Sequence, residues 1–180
     1  MNTRERPAWP GWSAQKTLLL PVLAEHWPPP SRPVEIDGIR FAPKPELHIT
    51  LLGGRLGREL HTGVGTRQKS RSLQHAFEAH AWRFRRTGKL LRLEKHEFAE
   101  QGIGRRAGSI IELVDLPALG AFYRCIEELL GRQLPVPPAH VTLYTFGRPQ
   151  GVGVPDPGTL RRSTVRDVET GELEELLAEH

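Results

Sequence analysis

PELHITLLGG (residues 45–54) and PPAHVTLYTFG (residues 137–147) repeat one order of residues, His, a β-branched residue, Thr and Leu, at positions 92 apart. Both stretches have strand composition, and successive side chains of a strand point to opposite faces. In the first copy Leu47, Ile49 and Leu51 then point one way, and Glu46, His48, Thr50 and Leu52 the other. In the second, Ala139, Val141, Leu143 and Thr145 share one face, and His140, Thr142, Tyr144 and Phe146 the opposite one. Each strand reserves an apolar face for a core and sets a His beside a Thr on the other. Two such strands facing each other present two imidazoles and two hydroxyls to one small ligand.

That set suits phosphodiester chemistry without a metal or cofactor. Histidine titrates near neutral pH, so a neutral imidazole takes a proton from attacking water while a protonated one donates to the leaving alkoxide. Threonine hydroxyls stabilise the charge on the nonbridging oxygens as phosphorus becomes five-coordinate. Tyr144, on the predicted face of His140 and Thr142, is a candidate to donate to phosphate or stack on a base, or a packing residue.

The pair His48-Ile49-Thr50-Leu51 and His140-Val141-Thr142-Leu143 resembles the two signature motifs of the two-histidine (2H) phosphoesterase superfamily, which includes the 2′-5′ RNA ligase-like proteins and RNA 2′,3′-cyclic phosphodiesterases. Motif spacing, element order and chain length carry the resemblance over roughly residues 16–147. It implies a two-lobed α+β fold with the motif strands lining a central cleft and helices outside. It also implies metal-independent cleavage of cyclic or 2′-5′ phosphodiesters, with His48, Thr50, His140 and Thr142 as catalytic residues. Several members place an aromatic residue before the glycine of the first motif, where this chain runs Leu52-Gly53-Gly54.

Around the motifs, residues 1–15 read as an irregular arm and residues 16–180 as one two-lobed domain, whose segment 147–180 has no counterpart in the resemblance. Residues 16–24 form a first buried strand, and Asp37-Gly38 turns a strand pair. The stretch GGRLGRELHTGVGTRQKS (residues 53–70) reads as a Gly-rich basic loop. Leu73, Phe77, Ala81 and Phe84 recur at helical spacing and predict a helix over 70–85. Strands follow in KLLRLEKHEFAEQ and GSIIELVDL. A helix opens near Pro117 and closes at Gly131, burying Leu119, Phe122, Ile126 and Leu129 or Leu130. A Pro/Gly-rich loop after Phe146, a strand in STVRDV and a short acidic helix complete the chain. Strands and helices mixed in this order predict an α+β fold with largely antiparallel sheets.

The net charge is +4, unevenly spread: residues 67–106 hold eleven Lys/Arg against four Glu, and residues 165–180 one Arg against six Asp/Glu. A basic middle suits a phosphate-bearing partner, RNA ends or small nucleotides with a cyclic phosphate, and RFRRTGK (residues 83–89) reads either as a track for an RNA backbone or as a charged helix end. Arg40, Lys44, Arg55, Arg58 and Arg148 flank the motifs as phosphate-binding candidates or solvated surface groups. His75 and His80 lie five apart, off the i, i+4 face a zinc helix uses. The single Cys125 permits no internal disulfide, which points to a reducing compartment, and the expectation is a cytoplasmic monomer. TLLLPVLA (residues 17–24) is short for the apolar core of a signal peptide and is interrupted by Pro21, and no run approaches the roughly 20 apolar residues of a membrane span. Two other readings of the chain are an RNA-end or nucleotide binding module without turnover, and an interaction protein in which the motif is structural.

Overall fold

A computed structural model describes residues 7–62, 65–97 and 104–173. Its elements are β1 (Leu18–Pro21), β2 (Val34–Ile36), β3 (Ile39–Pro43), β4 (His48–Leu52), α1 (Gly54–Leu60), α2 (Thr66–Glu78), β5 (Arg85–Glu97), β6 (Arg105–Asp115), α3 (Ala118–Leu130), β7 (His140–Phe146), α4 (Pro157–Ser163) and β8 (Thr164–Val168). The fold is α+β. Where the sequence suggests separate sheets, the strands join into one eight-stranded antiparallel sheet in the order β1-β4-β7-β6-β5-β8, with β3 also pairing β7 and β2 pairing β3. The two motif strands are neighbours at its centre, joined where Ile49 pairs with Val141.

The sheet has two unequal faces. One carries the main core: Leu20, Ile49, Leu51, Val141, Ile110 and Leu90 pack beneath α2 (Leu73, Ala76, Phe77) and α3 (Leu119, Phe122, Tyr123, Ile126). The other carries a smaller cluster of Leu91, Leu93 and Ile111 under Val152 and Val154, which the chain lays back over the sheet after β7. Asp37 and Gly38 both take positive φ (54° and 72°), the turn that matches strand twist in a two-residue hairpin between β2 and β3. The described part of the arm, residues 7–15, has neither helix nor strand and packs onto the core, with Trp9 edge-on to Phe77 at 5.3 Å and Trp12 edge-on to His61 at 4.4 Å.

Three expectations shift. α2 runs from 66 to 78, so Ala81 lies exposed in a loop and Phe84 half-buried beyond the helix. The basic loop after β4 contains α1 and the first turn of α2. α3 buries Tyr123 in its stripe, while Leu129 and Leu130 are only half-buried. A final helical turn begins at residue 170, and the rest of the segment expected to form an acidic C-terminal helix lies outside the described residues. Among the described residues no helix is long and apolar enough to cross a membrane.

Each motif strand carries a β-bulge at the Leu of its motif. On β4 the partners step from Leu52 to Thr50 along β1, leaving Leu51 as the extra residue. On β7 they step from Tyr144 to Thr142 along β6, leaving Leu143. A bulge leaves a residue unpaired, and a buried carbonyl without a donor is costly. Here the Tyr123 hydroxyl donates to the Leu51 carbonyl at 3.0 Å, and the Lys44 backbone N–H donates to the Leu143 carbonyl at 2.8 Å. Tyr123→Phe keeps the ring and removes the buried donor, so we expect a loss of about 1–3 kcal/mol, seen as a lower urea midpoint at unchanged slope. An unchanged midpoint would mean that the bulge does not depend on this bond.

Candidate active site

The register of the central pair sets the geometry. Ile49 and Val141 lie directly opposite and both are fully buried, so the residues on either side of each point to the other face. Antiparallel pairing therefore puts His48 across from Thr142 and Thr50 across from His140. Opposed positions hold their Cβ atoms about 4.5–5.5 Å apart and diagonal positions about 7–8 Å, so the two imidazoles occupy opposite corners of a small rectangle and the two hydroxyls the others. All four side chains are half-buried. No polar atom within the described chain hydrogen-bonds the His48 ring or either Thr hydroxyl, and these groups remain available to a ligand.

His140 is held differently. Its Nδ1 lies 2.8 Å from the Pro138 carbonyl, an acceptor only, so Nδ1 carries the proton and the lone pair of the neutral ring resides on Nε2. Burial lowers the pKa of His140 from its ordinary value, and the Pro138 carbonyl offsets part of this. His48 is also lowered, first by burial, then by the Lys44 ammonium and by His140 itself, against a smaller upward pull from Glu46. Lys44 ties this end of the site to the chain beyond β7, its Nζ donating to the Pro149 carbonyl at 2.9 Å.

Tyr144 is not brought to this face. The bulge at Leu143 reverses the alternation of β7: Thr142 shares a face with Ile111, whereas Tyr144 pairs with Ile110 and lies with Val141 in the main core, 7 % exposed. Phe146 goes with it, packing edge-on to Phe41 at 5.1 Å. The bulge at Leu51 likewise sends Leu52 into the core opposite Leu18. The burial of Tyr144 raises its pKa, and its ring lines a hollow with Arg86 and Glu112 on the far side of the sheet.

RFRRTGK is neither a helix end nor an open track. It enters β5, where Arg85 pairs with Asp115 at 3.0 Å and Arg86 pairs with both oxygens of Glu112 at 3.0 and 2.6 Å while lying 4.0 Å over the Trp27 ring. Glu112 is 1 % exposed, so Arg86 is committed to neutralising a buried carboxylate. By contrast Arg55, Arg58 and Arg148, read as flanking cations, come together with Lys95 around one cavity beside the motif face. Lys95 gave no signal of its own, since its place there follows only from its pairing with Ala107. Among the described residues no three His, Cys, Asp or Glu side chains gather into a metal site.

No family model matches the chain, and no curated protein or solved structure matches it.

Both imidazoles titrate below the unfolded value of about 6.5, so below that pH the unfolded chain binds more protons than the folded one. Their contribution is full above about pH 6.5 and is lost as the pH falls through the folded values. The carboxylate–arginine pairs act lower, Glu172 being held at about 2 by Arg166 and by the Glu169 backbone N–H. We expect unfolding free energy to fall on acidification from about pH 6.5, and the doubly substituted His48→Gln/His140→Gln chain to lack that first decline in denaturant titrations across pH. An identical decline in both chains would place its origin elsewhere.

Proposed function

We propose that the protein is a metal-independent phosphodiesterase acting on RNA or nucleotide cyclic phosphates, 2′,3′-cyclic or 2′-5′ linked, through its paired histidines. The observation that carries this reading is the rectangle at the β4–β7 seam: two imidazoles diagonally opposed, each across from a threonine hydroxyl, on the face turned from the main core. The reading also takes up the resemblance to the 2H phosphoesterases, whose cleft would correspond to this seam.

In the proposed reaction the phosphate lies over the rectangle, with Thr50 and Thr142 donating to its nonbridging oxygens. One neutral imidazole accepts a proton from water as the water oxygen bonds to phosphorus. The bond from phosphorus to the 2′ or 3′ oxygen breaks, and the other imidazole, protonated, gives that oxygen its proton. A phosphomonoester and a free hydroxyl leave, and proton exchange with solvent resets the pair. A site that is nearly twofold symmetric lets His48 and His140 exchange these roles with the direction of attack.

Hydrolysis of the four nucleoside 2′,3′-cyclic monophosphates in excess EDTA tests the reading. Turnover is expected in the unmodified chain, with a loss of roughly 10²–10⁴ in rate for His48→Ala and for His140→Ala. Because both imidazoles are lowered in the free protein, kcat/KM is expected to follow a bell whose maximum lies below about pH 6.5. Turnover abolished by EDTA, or unaffected by either substitution, would contradict the mechanism. Binding of these nucleotides without turnover would instead favour the binding module, for which the cations around the neighbouring cavity speak.

A further inference from the structure

On the sheet face that carries the histidine–threonine rectangle lies a cavity of about 490 Å³. Its floor is Lys95 opposite Ala107, and Ala107 belongs to the face that also carries Ile111 and, paired with Ile111, Thr142. Arg55 and Arg58 of α1 and the segment from Arg148 to Pro155 wall it, and among the described residues no carboxylate lines it. Each motif strand thus supplies a wall residue in equivalent sequence context, Gly54-Arg55 after β4 and Gly147-Arg148 after β7.

The wall is fixed. The Val152 backbone N–H donates to Ser109 Oγ at 2.8 Å, and Val152 and Val154 are buried against Leu93 and Ile111. Gly151 takes φ +71°, and a Cβ there would meet Ser109 Oγ at 2.3 Å, so only glycine lets the segment lie this close to the sheet. The Lys44 ammonium anchors Pro149 from the other side. This side of the concavity is preformed backbone, so little backbone order is lost when an anion meets the cations of α1 and β5 across from it. The floor lies four residues along β6 from Ile111, roughly 13 Å at strand rise, so one cyclic phosphate cannot fill both places.

We propose that this cavity binds a second phosphate of the same substrate molecule, so that the substrate of the paired-histidine site is a phosphorylated chain or end rather than a bare nucleoside cyclic phosphate. The proposal rests on the reading above only for what occupies the rectangle. The second phosphate has two chemical sources, the next phosphodiesters of an oligoribonucleotide or a diphosphate on a single nucleoside.

Isothermal titration with three product-like ligands tests it: cytidine 3′-phosphate, a cytidine trinucleotide ending in a 3′-phosphate, and cytidine 3′-phosphate 5′-diphosphate. The unmodified chain, Lys95→Ala, Lys95→Arg and Arg58→Ala are compared. At least one of the longer ligands is expected to bind roughly tenfold or more tighter than cytidine 3′-phosphate, the strength of charge-assisted hydrogen bonds. That advantage should shrink in Lys95→Ala and Arg58→Ala and return in Lys95→Arg. For the trinucleotide, log Kd should change more steeply with log salt by about 0.7 per added phosphate contact. A gain for the trinucleotide alone identifies an RNA end, and a gain for the diphosphate identifies a compact nucleotide. Equal affinity for all three ligands, or an advantage that survives both alanine substitutions, overturns the proposal. A chain that shows the advantage but hydrolyses no cyclic phosphate keeps this site and loses the catalytic reading alone.

Discussion

The pairing of Ile49 with Val141 at the centre of the sheet is the constraint on which the rest of this structure depends. A strand side chain has only two directions, so burying this pair in the main core obliges His48, Thr50, His140 and Thr142 to emerge together on the opposite face. A slip of one residue in either strand would bury a histidine and a threonine and expose a β-branched residue. The cost of the core thus enforces the geometry of the site. The two bulges at Leu51 and Leu143 then limit the polar stretch on each strand, returning Leu52 and Tyr144 to the core two residues after each threonine.

The bulges depend on donors from outside the two motif strands. Tyr123 reaches from α3 to the Leu51 carbonyl, and the Lys44 backbone does the same for Leu143. Lys44 also contributes through its side chain, lowering the pKa of His48 and fastening Pro149. Helix packing, the β3 connection, the histidine pair and the wall of the basic cavity are therefore linked through short contacts, and the fold supplies the site with rigidity as well as position.

Much of this was legible in the sequence. The duplicated motif marks both central strands, Asp37-Gly38 the hairpin, and Pro117 and Gly131 the ends of α3, because each rests on local backbone chemistry. Signals that depend on a partner were not. Period-2 reading assigned Tyr144, Phe146 and Leu52 to the histidine face, since nothing in a single strand announces that one residue will be left out of its neighbour's ladder. α1 was hidden by its glycines. Gly57 is needed because a Cβ there would sit 1.6 Å from the Lys16 carbonyl oxygen, a contact between segments far apart in the chain. α4 was masked by Asp156-Pro157-Gly158, which resembles a breaker but acts as a start, with Asp156 accepting from the Thr159 backbone N–H at 2.7 Å and Pro157 in the first turn. The commitment of Arg86 to Glu112, and the gathering of Lys95 with Arg55 and Arg58, likewise follow only from the register of β5 against β6 and the path of the chain around them.

The central claim is that two imidazoles face one phosphate, and nitrogen-detected NMR titration of the His48 and His140 side chains measures this most directly. In the free protein both rings should titrate below about 6.5, with His140 in the Nδ1–H form when neutral. Adding cytidine 2′- or 3′-monophosphate should raise the pKa of both together, because the phosphate charge favours both imidazolium forms. Two rings titrating independently near 6.5, or only one responding to the nucleotide, would contradict a shared phosphate site.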